Sequence, residues 1–144
     1  MSDEIVSVLN EISIDEVEAA IASAGYGVEN LGDNLAKVTD VESGITIRAA
    51  LEDNILFLTA PCVTVSCDKI SQEVMQQMLC AENGISTSNF QLYKLSDDRV
   101  AVTLNNFCKL LEMGRDDHDD ILSCIEFLLV DVFAAKDLIG DHIN

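Results

Sequence analysis

The chain has 144 residues, 49% of them hydrophobic, with 26 acidic side chains against eight lysines and arginines and a formal net charge of −18. A single domain spanning residues 1–144 is the expected organisation, since a chain of this length buries roughly 68–70% of its unfolded surface without a disulfide or metal staple. A mean hydropathy of +0.23 excludes wholesale disorder, and the scarcity of clustered Lys and Arg argues against nucleic-acid binding through phosphate contacts.

Ile5, Val8, Leu9 and Ile12 have the spacing of a short amphipathic helix. Ser13-Ile14-Asp15-Glu16 has the form of a capping box, so a second helix starts there. Its buried stripe is Ile14, Val17, Ala20, Ile21 and Ala24, and Gly25 ends it. From Gly27 to Ser66 the period drops to two. Ala36 and Val38 mark a short strand, while Ile45, Ile47, Ala49 and Leu51 alternate with Thr46, Arg48 and Ala50. Ile55-Leu56-Phe57-Leu58 is apolar on both faces, which places that strand centrally. Glu42-Ser43-Gly44 and Glu52-Asp53-Asn54 are the turns between these three antiparallel strands.

A helix is expected over Asp68–Asn83, with Ile70, Val74, Met78 and Leu79 as its stripe, Asp68 or Ser71 as its cap and Gly84 as its stop. Two strands follow at about Asn89–Leu95 and Arg99–Asn105, with Val100, Val102 and Leu104 inward and Ala101 and Thr103 behind them. The last and longest helix runs from about Asp116 to Ile143. Ile121, Ile125, Leu128, Val132 and Ala135 form one line along it, and Leu122, Phe127, Leu129 and Phe133 form others. A helix apolar nearly all round is buried on more than one side, and in a domain this small the second side is another chain. The elements therefore follow the order α-β-β-β-α-β-β-α.

Ile85-Ser-Thr-Ser-Asn-Phe90 followed by the Gln91–Leu104 hairpin resembles the corresponding hairpin of the YbjN family, which shares the type III secretion chaperone-like fold. The closing segment Asp119–Ile143 is similar to the last helix of the uncharacterised YjfI-like group. The resemblance covers about residues 13–143. It implies the fold class α+β, a five-stranded antiparallel sheet with flanking helices, in a catalytically inert, cytosolic, homodimeric protein that holds a partner segment in extended form against apolar grooves. It carries over no catalytic residue.

Three constellations have chemical alternatives. Asp116-Asp-His-Asp-Asp120, with His118 between its carboxylates, has ligand types suited to a divalent cation, but its register fails that of an EF-hand loop. The alternative is a charge cluster opposing the exposed amides of a helix start. Cys62 and Cys67 have four residues between them and no second pair beside them, so structural thiols are expected rather than a zinc or redox site. His142 sits at the charged end of the last helix, a poor place for a buried general base. Nucleotide-binding, zinc-protease and serine-hydrolase signatures are absent from the sequence. Met75 and Met113 are candidates for an adaptable binding surface.

The expected function is a non-enzymatic, cytoplasmic protein-binding module, chaperone-like or regulatory, acting as a homodimer. Its interface residues are Phe127, Leu129 and Phe133, with Met75 and Met113 facing a partner, and no cofactor, membrane or nucleic acid is involved. The acidic N-terminus, Met1-Ser-Asp-Glu-Ile5, lacks the basic start of an export signal. Five cysteines read as reduced thiols. The alternative is a metal- or thiol-dependent enzyme using Asp116–Asp120 with His118, or Cys62 with Cys67.

Overall fold

The computed structural model describes residues 11–143, with side chains through Gly140. The expected helix around Ile5, Val8 and Leu9 lies outside the described residues, as does the His142 side chain, while Ile12 is buried. In chain order the elements are α1 (Ile14–Ser23), β1 (Gly27–Gly32), β2 (Leu35–Thr39), β3 (Thr46–Glu52) and β4 (Ile55–Ser66). A 3-10 turn (Cys67–Lys69), α2 (Gln72–Leu79), β5 (Asn89–Lys94), β6 (Arg99–Lys109) and α3 (Arg115–Ile143) follow. The sheet has the strand order β1-β2-β3-β4-β6-β5.

The sheet is thus six-stranded, not five-stranded, and the added member is β1. It pairs antiparallel with β2 (Val28 opposite Val38, Glu29 opposite Lys37) and breaks register between Asn30 and Gly32. None of its six residues is buried, so it lacks the alternation by which an inner strand is read. Its turn carries the clue instead. Asp33 and Asn34 have φ of 54° and 61°, and Asp53 and Asn54, between β3 and β4, have φ of 52° and 61°. Two consecutive left-handed residues match the primed turns that suit the twist of a hairpin.

Contacts divide the chain into two compact units. The first comprises residues up to Leu58 together with Phe107–Ile125. Here α1 starts with the expected reciprocal cap: Glu16 N–H donates to Ser13 Oγ at 3.3 Å, and Ser13 N–H donates to Glu16 Oε2 at 3.2 Å. Ile14, Val17, Ala20 and Ile21 are buried, whereas Ala24, expected in the same stripe, is exposed as the C-cap ahead of Gly25 (φ +100°). Ile47, Ala49 and Leu51 of β3 join them, with Ala36 and Val38 of β2 and Leu56 and Leu58 of β4. Phe57 departs from expectation. It is 41% exposed, so β4 is central in the sheet but open on its second face.

The second unit comprises Thr59–Asn106 and α3 from Glu126 onward. Val74 and Met78 of α2, Val102 of β6 and Ile139 of α3 form its buried cluster, with Val63, Ile70 and Phe90 packed against it. Its first helix is shorter than expected. The turn Cys67–Lys69 precedes it, Ser71 rather than Asp68 caps it by accepting from Val74 N–H at 3.2 Å, and Leu79 is 82% exposed instead of buried. Strand β6 runs four residues beyond the expected Asn105, and Thr103, expected behind the core, is buried.

Candidate functional site

Within α3, Ile121, Ile125, Leu128, Val132 and Ala135 are wholly buried, as their spacing predicts. Each residue turns the helix by 100°, so the direction opposite that line is occupied by Val130, flanked by Phe127 and Phe133. These three are 63%, 47% and 55% exposed. Phe127 and Phe133 are therefore on the open face as expected. Leu129 is half-buried on the flank, and Val130, which the sequence reading passed over, is the centre of the stripe. Glu126, Lys136 and Asp137 are exposed around it.

A second apolar surface lies between α2 and β5. A cavity of about 250 Å³ is lined by Met75, Met78, Leu79, Phe90, Gln91 and Leu92. An adjoining one of about 380 Å³ shares Met75 and Leu92 and continues along Ile70, Lys94, Asp97 and Val100. β5 is the last strand of the sheet, so among the described residues one of its two sides has no strand neighbour. Met75, one of the two methionines expected to face a partner, is 38% exposed. Met113 does not line this groove: it belongs to the first unit, half-buried in a loop with φ of 56°.

The acidic string at the start of α3 is resolved by Asp117. Its Oδ2 accepts from the N–H groups of Leu111, Glu112 and Met113 at 2.8, 3.0 and 2.7 Å, and the residue is 3% exposed. A carboxylate oxygen so engaged is a loop anchor, and His118 and Asp116, Asp119 and Asp120 around it are exposed. The cluster was expected to face the exposed amides of its own helix; its buried member holds those of the preceding loop.

Asp131, absent from every expectation, does the same in the second unit. It is fully buried within α3 and accepts from Ser86 N–H and Oγ–H, both at 2.8 Å, from Ser88 N–H at 3.2 Å and from Thr87 N–H at 3.4 Å. Burial pushes its pKa up, but the donors of Ser86 and Ser88 outweigh that and hold it below the usual carboxylate value. The signal was an acid in the middle of the apolar run 127–135, since an acid is almost never fully buried unless partnered.

The cysteines regroup. Cys62 lies in β4, Cys67 just beyond it, and an extended chain separates them by roughly 16 Å. Burial raises Cys62 to about 11, partly opposed by Lys136 and the Leu104 backbone, while Cys67 faces Asp97 O at 3.9 Å. The thiols brought together are Cys108 of β6 and Cys124 of α3: Cys124 Sγ lies 3.8 Å from the carbonyl oxygen of Phe107, next to Cys108 in the chain, and each thiol shifts the ionisation of the other. Cys108 is pushed up to about 12, first by burial and then by Cys124 and the nearby acids Asp120 and Asp117. Cys124 is raised by burial too, although Cys108 works the other way. Nearby, Phe57 and Phe107 are both exposed, with ring centroids 6.3 Å apart at 38°.

None of the described helices is long and apolar enough to cross a membrane. No family model matches the sequence. No curated protein matches it either. Among solved structures, the chain is similar to YbjN from E. coli, named as a candidate transcription regulator, with a TM-score of 0.64 over 88% of this chain and 92% of that one. At 9% identity the likeness shows the fold alone: this chain has a YbjN-like α+β fold.

Proposed function

We propose that this chain is a non-enzymatic protein-binding module of the cytoplasm, acting as a homodimer in a chaperone-like or regulatory role. The observation that carries the reading is the apolar groove between α2 and β5, beside a strand whose outer edge is open. An extended segment laid along such an edge gains main-chain hydrogen bonds, and its alternate side chains drop into pockets on one face. Met75 and Leu92, shared by both cavities, sit where two successive inward side chains of the segment would rest. Methionine suits a surface that accepts several shapes, being unbranched and polarisable.

The outer stripe of α3 supplies the second contact, between two copies. Phe127, Val130 and Phe133 together expose on the order of 300 Å² of apolar area, taking a buried aromatic as about 200 Å². That is a hot-spot core rather than a full interface, which needs about 800 Å² per partner. Glu126, Lys136 and Asp137 supply its polar rim.

The groove is tested by fluorescence polarisation with extended peptides carrying apolar residues at alternate positions. The wild-type chain binds a subset of them, and Leu92→Asp loses that binding with its thermal midpoint unchanged. Equal binding by both proteins, or binding by neither, refutes the reading.

A further inference from the structure

Two groups in the first unit have no part in either contact surface: the thiols of Cys108 and Cys124. They come from different elements, β6 and α3, and each shifts the ionisation of the other. Cys124 Sγ also lies 3.8 Å from the carbonyl oxygen of Phe107, the residue preceding Cys108. The pair is asymmetric. Cys108 is 8% exposed, whereas Cys124 is only partly covered and stands next to exposed Ser123. A small oxidant reaches Cys124 first, and the thiol placed to attack the product is Cys108.

We propose that Cys108 and Cys124 form a disulfide-forming site whose oxidant is a small-molecule disulfide of the glutathione type. In the first step Cys124 gives up its proton and its sulfur attacks one sulfur of the oxidant. The oxidant's S–S bond breaks, one glutathione thiolate leaves, and a mixed disulfide stands on Cys124. In the second step the deprotonated Cys108 sulfur attacks Cys124 Sγ and expels the second glutathione thiolate. The two protons from the cysteines end on the two released thiols. Two protein thiols are oxidised and one disulfide is reduced, so atoms and electrons balance. Thiol–disulfide exchange needs the thiolate, and both thiols here resist ionisation, so the reaction runs slowly compared with that of a low-pKa catalytic cysteine.

The bond formed joins the end of β6 to α3 and encloses the loop that Asp117 holds. None of the other three cysteines has such a companion: Cys62 lies beside Lys136 and Leu104, Cys67 beside Asp97 O, and Cys80 is exposed.

The test incubates the purified full chain with oxidised glutathione and maps its cysteines by non-reducing peptide mass spectrometry. The expected product is a cross-linked pair of peptides containing Cys108 and Cys124, with a raised thermal midpoint that falls back on reduction. In Cys108→Ala the glutathione adduct on Cys124 persists, because nothing resolves it. In the variant Cys62→Ser, Cys67→Ser, Cys80→Ser the cross-link forms as in the wild type, which keeps the test independent of whether Cys108→Ala folds. A persistent adduct on Cys124 in the wild type, a bond between other cysteines, or no change at all overturns the proposal.

Discussion

Replacing Phe133 with Asp separates association from folding. Phe133 is 55% exposed in the single chain, so roughly 110 Å² of an aromatic side chain of about 200 Å² is open to solvent. Covering that area is worth about 3 kcal/mol at ~25 cal/mol per Å². A two-fold interface uses the same residue from both copies, which doubles the figure to about 5–6 kcal/mol. Each 1.4 kcal/mol is a factor of about ten, so Phe133→Asp weakens dimerisation by at least about three orders of magnitude. Leaving an unpaired carboxylate in the contact adds to the loss. Folding of the single chain changes within about 0.5 kcal/mol, because the site is on the surface. Light scattering over a dilution series, alongside thermal unfolding at a concentration where both proteins are monomeric, reads the two effects separately. A strictly monomeric wild-type chain at high micromolar concentration, or a Phe133→Asp variant that dimerises equally well, refutes the reasoning.

Asp131→Ala removes the acceptor of Ser86, Thr87 and Ser88 and destabilises the chain by on the order of 3 kcal/mol, measured by urea unfolding. Because the folded-state pKa of Asp131 is depressed, its contribution is complete above the unfolded carboxylate value near 4 and is lost as pH falls through the folded value. The acid limb of the stability profile is accordingly shallower in Asp131→Asn than in the wild type, and identical limbs would contradict the assignment. Asp117→Ala frees three successive amides of residues 111–113, so hydrogen exchange there rises while exchange in β3 is unchanged.

What could be read in advance was whatever rests on local periodicity. The capping box of α1, the alternation of β3 and the buried line of α3 each follow from the residues of one segment, and each is found. β1 escaped because an edge strand with no buried residue has no period to detect, and only its Asp33-Asn34 turn matched the Asp53-Asn54 turn that was recognised. Leu79 was assigned to the core by spacing, but α2 ends at that residue. The partnerships were the least legible. Asp131 answers to amides more than 40 residues earlier, and Cys108 to a thiol on another element, contacts that composition and spacing do not encode. For the candidate surfaces the residue types were visible, while their centre was not: Val130 stands where Leu129 was expected.

The carboxylates thus do two unlike jobs. Among the described residues Asp117 and Asp131 are the buried acids, while nearly all the others line the outside. At the isoelectric point of about 4.1 the net charge is zero, and the mutual repulsion between molecules vanishes. Asp131 still holds its loop at that point, its own proton affinity being lower. The contact between Asp131 and the 86–88 loop thus outlasts the charge that keeps molecules apart, so loss of solubility on acidification precedes release of that loop.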